Sequence, residues 1–219
     1  MPGTEKAWDC ACGTGQSALG LSRYFKEVIA TDASENQISN AETKPGITYQ
    51  VATAEKSFIN DGEIELVTVA QALHWFDIEL FFEEANRVLM HNGILAVWSY
   101  NLLKINETVD GLIDHLYHQI LRQYWPAERK MVENGYRDIT FPFETVSSPS
   151  FVMQGKWDLY QLVGYLETWS AIKRYMKNRN SDEVAKIFEK ITAAWGAPGM
   201  KQIVTWPLSV VIKKKVHQQ

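Results

Sequence analysis

The sequence predicts an α/β fold, in which a doubly wound, mostly parallel sheet carries a helical cap insertion. Strand and helix patterns alternate from residue 7 to about residue 100, as is typical of parallel strands joined by right-handed crossovers. The first strand pattern also runs into a glycine-rich turn, Gly13-Thr14-Gly15, which precedes a helix. With 219 residues, of which 46% are hydrophobic, the chain is long enough for one sizeable domain.

Short apolar runs bounded by turn residues predict the strands of the first half. They cover residues 7–12, 27–31, 47–52, 64–71 and 94–100. The fourth run is apolar enough to be covered on both faces, as in a parallel sheet. Asn92-Gly93 is expected to turn the chain into the fifth strand.

Capping residues and helical periodicity place the helices between these strands. One helix is expected over residues 16–25. Ser34 opens the next, with Gln37 completing a capping box, and Lys44-Pro45-Gly46 stops it. Asp77 is the expected N-cap of a helix whose apolar side chains recur at helical spacing.

The second half is less regular. An amphipathic helix is expected over 106–121, extended chain over 143–153, and helices over 158–176 and 182–195, the last capped by Ser181. A final strand covers 208–214, with Pro207 at its start or at a bulge. We therefore expect a seven-stranded sheet with an antiparallel last strand. One domain, residues 1–219, would carry cap segments 102–137 and 156–198 over the substrate side.

Composition and charge exclude several classes of protein. The net charge of −4 argues against a nucleic-acid binder, and no run is apolar enough to predict a membrane span or a signal peptide. Cys10 and Cys12 are too few for a disulfide framework, and no Cys or His follows at zinc-like spacing, so no metal is predicted. We expect a cytoplasmic protein, monomeric or homodimeric, that acts on a small molecule.

The glycine turn and Asp32 predict a nucleotide cofactor. A strand that ends in glycines before a helix lets a ligand approach the backbone closely, and Asp32, at the tip of the second strand, is placed to accept both hydroxyls of a ribose. Gly13-x-Gly15-x-x-Ala18 also fits a loose dinucleotide fingerprint. Asp9 decides between the two, because its carboxylate would repel a pyrophosphate but suits the ammonium and sulfonium of S-adenosylmethionine.

Four motifs in order resemble the class I methyltransferases. Asp9-x-Ala11-x-Gly13-x-Gly15 followed by Asp32 is similar to motifs I and II, with Ala11 where Gly is usual. Residues 53–55, 69–77 and 87–95 resemble further motifs of the methyltransferase type 11 group. Within this group, the motifs are most similar to those of the trans-aconitate-methyltransferase-like proteins. The resemblance implies a Rossmann-like methyltransferase fold and S-adenosylmethionine as cofactor.

The resemblance also implies a set of cofactor contacts. The turn lines the methionine moiety, with Asp9 beneath it, through Ala11, Cys12, Gly13, Gly15 and Gln16. Asp32 takes the ribose hydroxyls, and Ala33 and Ile38 cover one adenine face. The remaining contacts border the adenine edge (Thr53, Ala54, Glu55) and the methyl-bearing sulfur (Ala70, Gln71).

The chemistry of methyl transfer leaves the catalytic residues open. A carboxylate acceptor, which the family likeness suggests, needs no base, whereas a hydroxyl or amine benefits from one. His74 is the candidate base, the alternative being a hydrogen-bonded wall residue beside Trp75, and Tyr100 is a candidate for substrate contact. The family usually has a helix before the first strand, where this chain has six residues, so a non-catalytic binding protein is one alternative. An NAD-dependent oxidoreductase is another.

Overall fold

A computed structural model describes residues 4–178 and 182–216. These residues form two compact units. The first comprises the described parts of Met1–Ser99, Met131–Ser150 and Ser209–Gln219, and the second comprises those of Tyr100–Lys130 and Phe151–Leu208. Ser181, expected to cap a helix, lies outside the described residues. The assignment of residues 102–137 and 156–198 to a cap stays a prediction.

The secondary structure follows the predicted alternation. The strands are β1 (Lys6–Cys10), β2 (Glu27–Asp32), β3 (Ile47–Val51), β4 (Ile64–Ala70), β5 (Leu89–Tyr100), β6 (Glu144–Val146), β7 (Phe151–Trp157) and β8 (Gln202–Lys214). The α-helices are α1 (Gln16–Leu21), α2 (Glu35–Ser39), α3 (Ile78–Val88), α4 (Glu107–His115), α5 (Arg129–Glu133), α6 (Leu159–Glu167), α7 (Ser170–Asn178) and α8 (Asp182–Trp195).

The strands are ordered β3-β2-β1-β4-β5-β8-β6, and β7 also pairs with β8. The pairs β1·β2, β1·β4, β2·β3 and β4·β5 are parallel, and β6 and β7 both run antiparallel to β8. The doubly wound fold is thus confirmed. The described residues form eight strands rather than the expected seven, because the extended segment expected over 143–153 gives two strands, β6 and β7.

Each unit has its own apolar core. In the first unit, β1, β4 and β5 are buried among α3 side chains, and Trp8, Phe81 and Leu95 are fully covered. In the second unit, α4, α6, α7 and α8 pack around Leu162, Ile191 and Trp195.

Two predicted N-caps are confirmed. The Ser34 side chain accepts a hydrogen bond from the Gln37 amide, and the Asp77 side chain accepts one from the Leu80 amide.

The expected turn at Asn92-Gly93 is wrong, since both residues lie inside β5. Asn92 takes a left-handed φ of 63°, and the register between β4 and β5 shifts at Ile64/Leu66. The left-handed residue therefore accompanies an irregularity within the strand instead of reversing the chain. Gly93 is required there, because a Cβ would lie 2.9 Å from the Met90 carbonyl oxygen.

Pro207 lies within β8, not at its start or at a bulge. Thr205, two residues earlier, exchanges backbone hydrogen bonds with Lys104. Alternate residues of a strand direct their backbone N–H groups to the same side. The position of the missing N–H of Pro207 therefore faces the Lys104 side of β8, as the N–H of Thr205 does, and not β7. On that side Thr205 forms an isolated bridge with Lys104, and β7 keeps its pairing with β8 on the other side, so the proline is tolerated.

Several expected elements are divided or shortened. The helix expected over 106–121 becomes α4 followed by a π-helical turn, Leu116–Ile120. The helix over 158–176 breaks after Glu167 into α6 and α7, and the extended segment 143–153 becomes β6 and the start of β7. α1 ends at Leu21, four residues before its predicted end, and the chain continues in turns. No helix within the described residues is long and apolar enough to cross a membrane.

Candidate functional site

The turn between β1 and α1 is built on left-handed backbone. Ala11 has a φ of 54°, Gly13 of 57° and Gly15 of 93°, so β1 ends at Cys10, two residues earlier than predicted. The left-handed conformation is sterically unfavourable for Ala11 because of its Cβ atom, and glycine would avoid this cost. The turn is fastened to the neighbouring strand, because the Cys12 amide donates to the Thr31 carbonyl oxygen at 2.9 Å.

Gly15 is required by a close approach from the side. A Cβ on Gly15 would lie 2.2 Å from the Tyr49 hydroxyl oxygen and 2.9 Å from its ring. That hydroxyl is buried and has no hydrogen-bond partner among the described residues. Burial raises the pKa of Tyr49, and the neighbouring Cys12 and Asp9 raise it further, so the hydroxyl stays neutral. Tyr49 thus places an unpaired polar atom beneath the turn.

Asp32, at the end of β2, holds the turn from the other side. Its Oδ2 accepts from the Gly13 amide and its Oδ1 from the Ser34 amide, both at 2.9 Å. An ionised carboxylate has about four acceptor positions, so these bonds fix its orientation and leave capacity on both oxygens. That arrangement suits a pair of ribose hydroxyls.

Asp9 is fully buried in β1. Its Oδ1 accepts from the Thr68 hydroxyl at 2.8 Å, whereas no donor within the described chain meets hydrogen-bond geometry at Oδ2. Burial raises the Asp9 pKa to about 6, and Thr68, the Ser17 hydroxyl and the Ala18 amide oppose the rise. The carboxylate is therefore mostly ionised at neutral pH and lies under the first turn of α1.

The two cysteines are free thiols. Burial, reinforced by the charges of Asp9 and Asp32, raises the pKa of Cys12 to about 12, and burial raises that of Cys10 as well. Both are therefore neutral at physiological pH and contribute small apolar volume, as the sequence indicated.

A cavity of about 550 Å³ opens at the carboxyl ends of β1, β2 and β4, where doubly wound sheets bind ligands. Predicted residues that line it are Ala11, Gly13, Asp32, Ala33, Thr53, Ala54, Glu55, Ala70 and Gln71. The sequence did not indicate the other lining residues, which are Gln37, Ala52, Ala72, Trp75 and Phe76. Trp75 is 62% exposed, and the sequence pattern indicates it only as a neighbour of His74.

Other predicted contacts lie beside this cavity rather than along its wall. Cys12 is buried with Ala18, and Ile38 packs against the same small apolar cluster. Gln16 is exposed at the start of α1, and Gly15 faces Tyr49. Glu55 lines the cavity, but its Oε1 also accepts from the Asp77 amide at 3.0 Å, which supports the beginning of α3.

His74 lies in a short 3₁₀ turn, Leu73–Trp75, after β4. It is buried, its Nδ1 is 3.0 Å from the Tyr136 hydroxyl, and its ring centre is 4.7 Å from that of Trp75. The sequence does not pair Tyr136 with His74, because 62 residues separate them. The contact orients the imidazole, and the catalytic role of His74 stays a prediction.

Tyr100 ends β5 and belongs to the second unit. Burial raises the pKa of its hydroxyl, Tyr165 raises it further, and the charge of Arg129 lowers it. The phenol is therefore neutral at physiological pH. Its role in substrate contact stays a prediction.

The strand order, the left-handed turn and the carboxylate at the end of β2 define a nucleotide-cofactor-binding protein of the class I methyltransferase type. The model of the type 11 methyltransferase domain matches residues 8–97. A Dictyostelium discoideum protein named as a methyltransferase is 35% identical over 217 residues, which are 96% of this chain and 82% of that protein. A Saccharomyces cerevisiae protein named as an S-adenosylmethionine-dependent methyltransferase is 24% identical, over 85% of this chain and 77% of its own length.

Solved structures agree with the sequence relatives. An Anaeromyxobacter dehalogenans protein named as a type II methyltransferase superposes with a TM-score of 0.93 at 37% identity, covering 99% of this chain and 92% of that one. The Bacillus subtilis YcgJ protein, at 18% identity and a TM-score of 0.54, shares the fold. The chain belongs to the class I S-adenosylmethionine-dependent methyltransferases that carry the type 11 domain.

The family's cofactor, S-adenosylmethionine, fits the residues present. The cavity has the volume of a cofactor site, and Asp32 has acceptor capacity on both oxygens. The buried Asp9 carboxylate supplies negative charge beneath the turn. A carboxylate at this position would repel the pyrophosphate that NAD brings to the turn but attracts the ammonium and sulfonium of S-adenosylmethionine, so the negative charge favours S-adenosylmethionine.

Proposed function

We propose that this protein transfers a methyl group from S-adenosylmethionine to a small-molecule acceptor, with a carboxylic acid as the acceptor class. The observation that carries the proposal is the Asp32 carboxylate, which is oriented by the Gly13 and Ser34 amides at the edge of a cofactor-sized cavity. Such a carboxylate holds the ribose hydroxyls of a nucleoside.

The proposed binding roles follow from the lining of that cavity. Ala33 and Gln37 border the adenosine beyond Asp32, and Trp75 and Phe76 supply an aromatic wall. Ala11 and Gly13 present backbone to the methionine part of the cofactor. These residues act by binding and orienting, and Asp9 adds the favourable charge beneath them.

The cofactor, when bound, supplies a methyl group on a positively charged sulfur, and the protein aligns an acceptor oxygen or nitrogen with it. A carboxylate acceptor is already nucleophilic, so no residue has to remove a proton. A hydroxyl or amine acceptor would instead call on a base such as His74, whose ring is oriented by Tyr136.

The acidic net charge supports a small-molecule acceptor over a nucleic acid. The carboxylic acid rests on the motif resemblance to trans-aconitate-methyltransferase-like proteins. Two buried free thiols fit a reducing compartment, so the cytoplasm is the proposed location.

Isothermal titration with S-adenosylhomocysteine, with NAD as the comparison ligand, tests the cofactor half of the proposal. Asp32→Ala is expected to weaken S-adenosylhomocysteine binding at least about 100-fold, because two hydrogen bonds to a charged group are lost. Asp32→Asn keeps the shape but removes the charge and should have an intermediate effect. Glu83→Gln, which removes an exposed charge from α3, is the matched control and should bind as the wild type does.

Methyl transfer to a panel of carboxylic acids, followed with methyl-labelled cofactor, tests the acceptor half. Base-labile product shows an ester, and label stable to base shows an ether or amine. Equal affinity for NAD, or unchanged S-adenosylhomocysteine binding in Asp32→Ala, would overturn the cofactor assignment.

A further inference from the structure

Arg129 in the second unit is a cation without a counterion. It lies at the start of α5 and is half-buried. Its Nε donates to the Tyr117 hydroxyl at 2.8 Å and its Nη2 to the Asn101 side-chain oxygen at 3.2 Å. Within the described residues no carboxylate lies at ion-pair distance from it. Fully buried charges in proteins are normally paired, whereas this half-buried guanidinium has no carboxylate partner among the described residues.

Aromatic rings hold the guanidinium in place without neutralising it. Its central carbon lies 5.1 Å from the Trp125 ring centre and 5.6 Å from that of Tyr117. The Trp125 and Tyr117 rings are themselves 4.5 Å apart, and Trp169 lies 5.5 Å from Trp125. Such contacts stabilise a cation through the ring quadrupole, and the full positive charge remains available.

The hydrogen bonds leave one edge of the guanidinium for a ligand. Of its five N–H donors, Tyr117 takes the one on Nε and Asn101 takes one on Nη2. Within the described chain Nη1 makes no hydrogen bond. Two donors on Nη1 and one on Nη2 therefore remain, and a pair of donors, one from each of these nitrogens, matches the two oxygens of a carboxylate.

We propose that Arg129 anchors the carboxylate of an aryl or alkenyl carboxylic acid, whose planar apolar part packs against Trp125 and Trp169. The flat, rigid rings favour a planar ligand, and the charge favours an anion. Arg129 is then the anion-binding residue of the second unit, and Tyr117 and Asn101 hold its guanidinium in place.

The test uses trans-cinnamate and its neutral amide, trans-cinnamamide, titrated into the full-length chain by calorimetry. The wild type is expected to bind the acid at least about tenfold more tightly than the amide. Arg129→Gln should weaken binding of the acid about 10- to 100-fold and leave binding of the amide nearly unchanged, because only the charge-assisted contact is lost. Arg129→Lys keeps the charge but loses the pair of parallel donors, so its affinity for the acid should lie between those of the wild type and Arg129→Gln.

Arg122→Gln is the matched control, since Arg122 is an exposed arginine of the same unit and its removal should change neither affinity. Titration of each variant with S-adenosylhomocysteine runs in parallel and reports on folding of the chain and on the cofactor site. Equal binding of acid and amide overturns the inference, as does full affinity for the acid in Arg129→Gln or no binding of the acid at about 10 mM. If S-adenosylhomocysteine fails to bind the wild type, the proposed function fails separately.

Discussion

Replacing Asp9 by asparagine changes the pH dependence of folding in a direction that the structure determines. Burial raises the pKa of Asp9 from 3.8 to about 6, so the folded protein holds this proton more tightly than the unfolded chain does. The stability that comes from the bound proton is fully present below about pH 4 and is lost as the pH rises through about 6. The asparagine variant has no proton to lose.

The magnitude follows from the difference between the two pKa values. A difference of about two units corresponds to ~3 kcal/mol between the protonated and ionised forms. Asparagine keeps the oxygen that accepts from the Thr68 hydroxyl at 2.8 Å, but it adds amide donors beside the unpaired Oδ2 position, at a cost of ~1 kcal/mol. We therefore expect the variant to be ~1 kcal/mol less stable at pH 4 and ~2 kcal/mol more stable at pH 7.5.

Urea unfolding followed by tryptophan fluorescence, at several pH values between about 4 and 7.5, measures both proteins. The free energy of unfolding of Asp9→Asn minus that of the wild type should rise by ~3 kcal/mol over this range. Asp114→Asn, which changes an exposed aspartate of α4, is the control and should show a much smaller change. A difference that stays constant with pH, or that falls as the pH rises, would refute the argument.

Four further substitutions, one of them a second change added to Gly15→Ala, test the turn and the candidate base. Gly15→Ala should destabilise the fold by ~2–4 kcal/mol, because its Cβ would meet the Tyr49 hydroxyl at 2.2 Å and its φ is 93°. Adding Tyr49→Phe should restore at least ~1 kcal/mol in urea unfolding, and no restoration would show that the clash is not the cause. Ala11→Gly should stabilise by up to ~1 kcal/mol, since its φ is 54°, and a destabilised variant would contradict this strain. His74→Gln should change the rate of methyl transfer to a carboxylate less than about threefold; a loss of about 100-fold would indicate an acceptor that needs a base.

The cofactor half of the site was accessible from the sequence because its signals are local. A glycine turn after an apolar strand, and Asp32 at the end of the next strand, lie close together once adjacent parallel strands end at the same edge of the sheet. The observed cavity contains both Gly13 and Asp32. Caps such as Asp77 were equally readable, because the side chain and the amide that it binds are three residues apart.

Strand and helix boundaries were less readable, since pairing partners decide them. Pro207 and Asn92 look like breakers in isolation, yet both lie inside long strands. The bridge between Thr205 and Lys104 places the missing N–H of Pro207 on the side of β8 away from β7, and the irregular register of β4 and β5 accompanies Asn92. Neither partner is near in sequence, so local propensity cannot predict the outcome.

The fold class and the residues of the turn were readable from the sequence, because they depend on backbone preferences and periodicity over a few residues. The cofactor was readable from Asp9, Asp32 and the motif resemblance. Three contacts required the three-dimensional structure: Tyr49 lies against Gly15, Tyr136 orients His74, and Arg129 has rings around it but no carboxylate among the described residues. These contacts join residues far apart along the chain or depend on which side chains are absent from a neighbourhood. Distances and burial in three dimensions define them, and a linear pattern carries neither.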